Sequence, residues 1–416
     1  MQNYAKKRTE NKMTENYKKD FPLLMQNKTV YIDNAATAQR PQSVIDAETD
    51  FYTKYNANPM RGIYKLSVEA TEAYERARTA VQKFIGAESA DEIIFTRNTT
   101  ESINLIAYSY GLNNVGEGDE VLVSIAEHHS NLLPWQTVCR QTGAKLKFIE
   151  CEADGSIDLD KAASMIGGKT KIVAMTQLSN VLGREYPIKE LAAAAHRVGA
   201  VMVADGAQST PHIPVNVSEL GVDFFAFSGH KLYGPMGIGV LYGRKELLDK
   251  MPPFLTGGEM IESVTRDSAV YAEVPHKFEA GTVNAAGAVG LKAAIDYVNS
   301  IGFDKIHSRE LEVSKYAFDR LKEADGINII GAAEADKHNG IITFTVDGVH
   351  PHDVSEILAS DNIAVRAGHH CAQPLLKHLG YRATVRASFA FYNTKDDADK
   401  FLESVSSVRR RMGYGK

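Results

Sequence analysis

The sequence predicts an α/β fold built on a mainly parallel sheet, followed by a smaller α+β lobe. Three observations carry that expectation. Short β-branched runs alternate with longer amphipathic stretches from about Tyr31 to Gly243. Polar residues collect just after the strand ends, where open α/β sheets bind ligands. The 416 residues exceed what one hydrophobic core supports, so two lobes with a cleft between them are expected.

In chain order, strands are expected at Glu92 to Thr96, Glu120 to Ser124, Lys145 to Glu150, Lys171 to Thr176 and Val201 to Asp205. Between them, helices are expected at Ser102 to Tyr110, Leu132 to Thr142 and Ile188 to Val198, the last opened by Pro187 and closed by Gly199. From Gly257 and Gly258 to about Pro275 the periodicity is weak, which predicts a loop covering the cleft. A helix around Gly287 to Ser300 leads out of this region. From about Ile301 a further helix and strand-like runs at Ile341 to Val346 and Thr384 to Ala390 make the smaller lobe.

Composition narrows the function classes. With 47 Lys plus Arg against 52 Asp plus Glu, the formal charge of −5 gives no reason to expect nucleic acid or an anionic membrane as partner. The first twenty residues lack the apolar core of a secretory signal, and no run is long and apolar enough to span a bilayer. Three cysteines, Cys139, Cys151 and Cys371, cannot all pair with one another, so a reducing cytoplasm is the expected compartment.

Four segments carry candidate chemistry. In Ser228 to Pro235 (SGHKLYGP), Lys231 follows the apolar run Phe224 to Phe227; a partly desolvated amine at a strand end suits a Schiff-base lysine, although a surface lysine in a Gly-rich turn explains the segment about as well. In Val201 to Gln208 (VMVADGAQ), Asp205 ends a buried strand, where it either pairs with a pyridine nitrogen or caps the next turn. In Ile94 to Asn104 (IFTRNTTESIN), Thr99 or Thr100 near a helix start offers phosphate donors or a plain cap. In Arg366 to Pro374 (RAGHHCAQP), Cys371 follows two histidines and a glycine near Arg366, surroundings that favour thiolate and make it the best nucleophile in the chain. A metal site of His369, His370 and Cys371 is the rival reading, but adjacent ligands lack the usual zinc spacing. Cys139, on an amphipathic helix, and Cys151, just after a strand, read as core residues. One of the adjacent histidines His128 and His129 in AEHHSN either stacks on a flat ring or is a satisfied structural residue, and Arg386 in TVRASFAFYNT either grips a carboxylate or is a surface charge.

Together with YIDNAAT at Tyr31 to Thr37, these segments stand in an order and spacing that closely resembles the group II, SufS-like cysteine desulfurases. These belong to the class V aminotransferase family of fold type I pyridoxal-phosphate enzymes. The resemblance runs from Tyr31 to the C-terminus. It implies a seven-stranded, mainly parallel sheet in a large domain at residues 31–298, a small domain at 299–416 carrying the cysteine loop, and an N-terminal segment at 1–30 partly packed on the small domain. It also implies pyridoxal 5′-phosphate as cofactor. Lys231 is then the cofactor-holding lysine, Asp205 the partner of the pyridine nitrogen, Gln208 that of the ring oxygen, and His128 the stacking and proton-transfer residue. Thr100, Ser228 and His230 resemble the phosphate binders, with Thr282 reaching the phosphate across a homodimer interface. Asn180 and Arg386 match the substrate-carboxylate contacts and Cys371 the sulfur acceptor.

The implied reaction is sulfur transfer from L-cysteine to Cys371, giving L-alanine and a persulfide for iron–sulfur cluster assembly through an acceptor of the SufE or SufU type. L-selenocysteine is the alternative substrate. An aminotransferase is disfavoured by the RAGHHC segment, and a non-catalytic scaffold would lack bound cofactor. One departure is NPMRGIY at Asn58 to Tyr64, where Met60 and Tyr64 stand in places that often hold histidine in similar enzymes, a change expected to touch partner docking or sulfur handoff.

Overall fold

Seven strands make the central sheet of a computed structural model that describes residues 16–414. In chain order they are β1 (Ile93–Thr96), β2 (Glu120–Ser124), β3 (Lys145–Ile149), β4 (Thr170–Thr176), β5 (Val201–Asp205), β6 (Phe224–Ser228) and β7 (Gly239–Gly243). Their spatial order is β1-β7-β6-β5-β4-β2-β3, and only β7 runs against its neighbours. Strands with helices on both faces must be apolar on both faces, which is why β5, β6 and β7 read as unbroken runs and are buried at every residue. Successive side chains alternate between two cores. Met202, Ala204, Phe225 and Phe227 face one; Val201, Val203, Phe224 and Ala226 face the other. The edge strand β3 carries Lys145 and Lys147 instead, charges that discourage pairing with another chain.

The expected strands and helices fall within a few residues of those observed. Helix Ile188–Arg197 has Pro187 at its N-cap, and Gly199 just beyond it takes φ +76°. The helix expected from Ser102 starts earlier, at Thr99, because the Asn98 side chain accepts from the Glu101 N–H and caps it. It passes into a wider π turn over Ile106–Gly111. Two helices not singled out in the sequence, Gln42–Lys54 and Lys65–Phe84, pack beside the long helix Ala285–Ile301.

Beyond helix Phe303–Glu323, a second sheet is formed by β8 (Ile327–Ile330), β9 (Ile341–Val346), β10 (Arg366–Gly368) and β11 (Thr384–Ser388), antiparallel throughout in the order β8-β9-β11-β10. Its core joins Phe344 and Val385 to Phe401 of the terminal helix Lys395–Arg411. The chain before the central sheet also reaches this layer: Val30–Tyr31 pairs in parallel with Ile363–Ala364, and Asp33 bridges to Ser388. Within the N-terminal segment, residues 1–15 lie outside the described residues. Past them, Lys18 pairs with Asp397 and Phe21 is fully buried against Tyr392, Phe391, Tyr297 and Tyr233.

The stretch from Gly257 to Pro275 departs from its expectation. It forms an exposed antiparallel hairpin, Ile261–Val264 with Ala269–Tyr271, and none of it lines the main cavity. Apolar residues at Ile261, Val264, Val270 and Tyr271 give it enough strand character to pair, and Arg61 ties its base through Glu259 at 2.8 Å. Among the described residues no helix is long and apolar enough to cross a membrane.

Candidate active site

Parallel strands end on one side of the central sheet, and the loops after them open into a cavity of about 780 Å³ whose far wall is the small sheet. Asp205 closes β5 inside it, 3% exposed, with Oδ1 accepting from the Ala207 N–H at 2.9 Å. Gly206 is required behind it, since a Cβ there would lie 1.9 Å from the Phe225 ring. Burial pushes the Asp205 carboxyl up, and the Lys231 ammonium pulls it back down.

Lys231 stands in the short turn that follows β6. Burial holds its amine down at about 8; Asp205 opposes that shift and Arg386 adds to it. Gln208 donates Nε2 to Ala35 O at 2.7 Å, while its Oε1 is buried without a partner. His128 lines the same cavity, and burial followed by the Lys231 charge holds it down at about 3. The Ser130 N–H donates to its Nδ1 at 3.1 Å, so the neutral ring carries its proton on Nε2.

Hydroxyls gather at one end. Ser228 Oγ accepts from the Thr99 N–H at 2.9 Å, and Thr100 Oγ1 meets Ser130 Oγ at 2.7 Å. His230 lies beside them on the cavity wall, its ring held down at about 4 by burial and by Lys231. Thr282 is exposed and takes no part in this wall.

At the opposite end, Arg386 is 2% exposed on β11. It donates Nη1 to Asn180 O at 2.8 Å, and its Nε is buried without a partner. Cys371 sits on the loop after β10, exposed, while Cys139 and Cys151 are buried and held up at about 11 by burial, as core thiols should be. His370 and Cys371 both adopt left-handed backbone, φ +51° and +55°, a strain of roughly 1–3 kcal/mol each that neighbouring contacts must offset. The His129 N–H donates to Cys371 O at 2.7 Å, and His370 Nε2 bonds Thr384 Oγ1 at 2.8 Å. The Cys371 thiol, the Lys231 amine and the guanidinium groups of Arg366 and Arg386 line the same cavity.

Every site residue expected from the sequence except Thr282 therefore lines one cavity: Lys231, Asp205, Gln208, His128, Thr100, Ser228, His230, Asn180, Arg386 and Cys371. Two neighbours were not foreseen. Asp33 binds both Arg366 and Arg386, and the fully buried Glu127 accepts from Asn131, Ser124 and the Thr176 N–H. An acid directly after an apolar run, the pattern that flags Asp205, also marks Asp33 after Val30 to Ile32. Glu127 is hidden in a segment whose histidines draw the eye.

The model of the family described as aminotransferase class-V matches residues 30–401. The chain belongs to that family. Among class-V relatives, a probable cysteine desulfurase of Halalkalibacterium halodurans is 51% identical over 401 residues, covering 95% of this chain and 98% of its own. The apo cysteine desulfurase of Thermococcus onnurineus superposes with TM-score 0.91 at 43% identity, over 95% of this chain and 97% of its own. The Escherichia coli cysteine desulfurase CsdA, in an S-sulfonic acid form, gives 0.89 at 40% identity, over 95% and 98%. The class-V fold expected from the sequence is thus the fold observed.

Proposed function

We propose that the protein is a pyridoxal-phosphate-dependent cysteine desulfurase that takes sulfur from L-cysteine onto Cys371 and releases L-alanine. The observation that carries this reading is an amine lowered to about 8 by burial and an exposed thiol on the walls of one cavity. Its relatives at about half identity carry the same activity in their names.

The donor set suits the cofactor. A buried acid, an orphaned Gln208 Oε1 and a flat imidazole surround space for a ring, and Thr100, Ser228 and His230 offer hydroxyl and imidazole donors for a phosphate. When bound, pyridoxal phosphate supplies an electron sink for chemistry at the substrate Cα. Lys231 is the residue that would hold it, and with a pKa of about 8 roughly a tenth of its amine is unprotonated at pH 7, against well under a hundredth for an ordinary lysine, so it can take the Cα proton. Asp205 is the counter-charge for the ring nitrogen. Neutral His128, with Nδ1 occupied, would stack on the ring and offer Nε2–H as a donor. Asn180 and Arg386 hold the α-carboxylate, Arg386 with its unused Nε.

The thiolate of Cys371 attacks the substrate sulfur. A sulfur–sulfur bond forms as the Cβ–S bond breaks, and the carbon fragment keeps that electron pair, takes up a proton and leaves as alanine. A persulfide, which an acceptor thiol can clear, remains on Cys371. In this reading residues 31–298 hold the cofactor and 299–416 carry the thiol loop. A second copy of the chain brings exposed Thr282 to the phosphate, and a SufE- or SufU-type protein relays sulfur to iron–sulfur cluster assembly.

The test is mass spectrometry of Cys371 after exposure to cysteine, with absorbance recorded in parallel. Cys371→Ser keeps the cofactor band and forms no persulfide, whereas Lys231→Ala loses the band. Full desulfuration by Cys371→Ser would overturn the assignment.

A further inference from the structure

Arg366 and Arg386 face each other across β10 and β11 as register partners, and both line the cavity. Two guanidinium groups side by side would form a doubly positive wall. Asp33 prevents it. Its carboxylate takes Arg366 through Nη2 at 3.0 Å and Nε at 3.2 Å, and reaches Arg386 Nη2 at 3.3 Å. The acid is itself fixed, 14% exposed at its side chain and bridged through its backbone to Ser388 on the end of β11. Three charges therefore sum to a single positive one.

We propose that Asp33 is a specificity-determining residue that matches this wall to substrates with one carboxylate and disfavours side chains ending in a second acid group. The inference rests on the reading above, in which Arg386 holds the α-carboxylate. The division of labour follows from the contacts. Arg386 keeps a buried, unpartnered Nε for the α-carboxylate, while Arg366, on the strand leading into the Cys371 loop, is the other guanidinium of this wall that Asp33 holds. Asp33 engages Arg366 two-pronged and so leaves an acidic side chain a neutral pair to approach, not a free cation. A thiol side chain loses nothing by this.

The test uses acids that lack an amine and so bind only through their carboxylates: 3-mercaptopropionate, which has one, and succinate, which has two. Their affinities for the holoenzyme are measured by calorimetry. Asp33→Asn should shift the affinity ratio toward succinate by about tenfold, the size expected for one uncompensated charge at a half-exposed position. Arg366→Gln leaves Asp33 without that partner and should shift the ratio the other way. Unchanged ratios in both variants, or shifts in the same direction, overturn the proposal even when both acids bind. If neither acid binds the wild-type holoenzyme, the carboxylate-site reading itself falls and the inference falls with it.

Discussion

Asn180 donates its side-chain Nδ2 to the carbonyl of His370 at 2.8 Å, and its own carbonyl accepts from Arg386 Nη1 at 2.8 Å. One residue thus bonds the peptide group that precedes Cys371 on one side and the guanidinium of the carboxylate site on the other. Binding at Arg386 and placement of the thiol are mechanically linked through it, with no intervening side chain.

Removal of that link should uncouple thiol placement from cofactor binding. Asn180→Ala leaves the buried His370 carbonyl unpaired in a loop already strained at two residues, a loss of roughly 1–3 kcal/mol. We expect single-turnover persulfide formation on Cys371 to fall by about tenfold or more while the cofactor absorbance is retained. Asn180→Asp, which cannot donate to the carbonyl and sets a negative charge beside the carboxylate site, should fall further. Wild-type rates in both variants would separate Asn180 from both tasks.

The lowered amine of Lys231 has a direct chemical signature in cofactor-free protein. A pKa near 8 makes the unprotonated fraction rise about tenfold between pH 7 and pH 9 and then level off, whereas an unshifted lysine rises about a hundredfold over that span with no plateau. Competitive acetylation at a series of pH values, read at the Lys231 peptide by mass spectrometry, distinguishes the two. Asp205→Asn should move the plateau to lower pH, because Asp205 is the charge that holds the Lys231 pKa up against burial.

How much of this was readable beforehand depended on sequence distance. Lys231, Asp205 and the strands that end at them were legible because an apolar run followed by a polar turn is a local pattern. The same pattern marks Asp33, but its role was not legible, because its partners Arg366 and Arg386 lie 333 and 353 residues away and only the sheet register brings the three together. The stretch after Gly257 misled for the opposite reason. Its weak periodicity hid a short hairpin whose two strands are both exposed, so no buried face imposed alternation. Thr282, expected at a phosphate, is exposed and lies off the wall of its own chain's cavity, and no local pattern can say whether a residue serves its own chain or a second copy.

Phe21 shows how the N-terminal segment bears on the site. Its ring is fully buried, 4.5 Å from Tyr392 and 6.3 Å from Tyr233, two residues beyond Lys231. It thereby joins the turn that carries the lysine to the chain just after β11. Phe21→Ala should cost about 3–5 kcal/mol of stability, measured by denaturant unfolding of the holoenzyme, while Phe21→Leu should cost clearly less because it keeps most of the volume. Equal losses would mean that edge-on ring contacts, not filled space, hold this corner.

Glu127 gives the molecule a pH-dependent stability of predictable sign. The side chain is completely enclosed and ties the end of β2 through Ser124, the end of β4 through the Thr176 N–H, and the turn after His128 through Asn131. Burial is the largest influence on it and pushes its carboxyl up to about 8; those three hydrogen bonds work against the shift, and Asp205 adds to it. In the unfolded chain an ordinary glutamate releases its proton near 4.5, so between that pH and about 8 the folded state holds a proton that the unfolded state has lost. The contribution is complete below the unfolded value and drains away as pH rises through the folded one. Glu127→Gln keeps the volume and an amide acceptor but cannot titrate, so its stability should fall less steeply than wild type's from pH 5 to pH 8. The gap between the two proteins should therefore narrow in favour of the variant as pH rises. Parallel stability curves across that range would show that Glu127 ionises in the folded protein at its ordinary pKa, and that the His128 turn rests on a carboxylate and not on a buried acid.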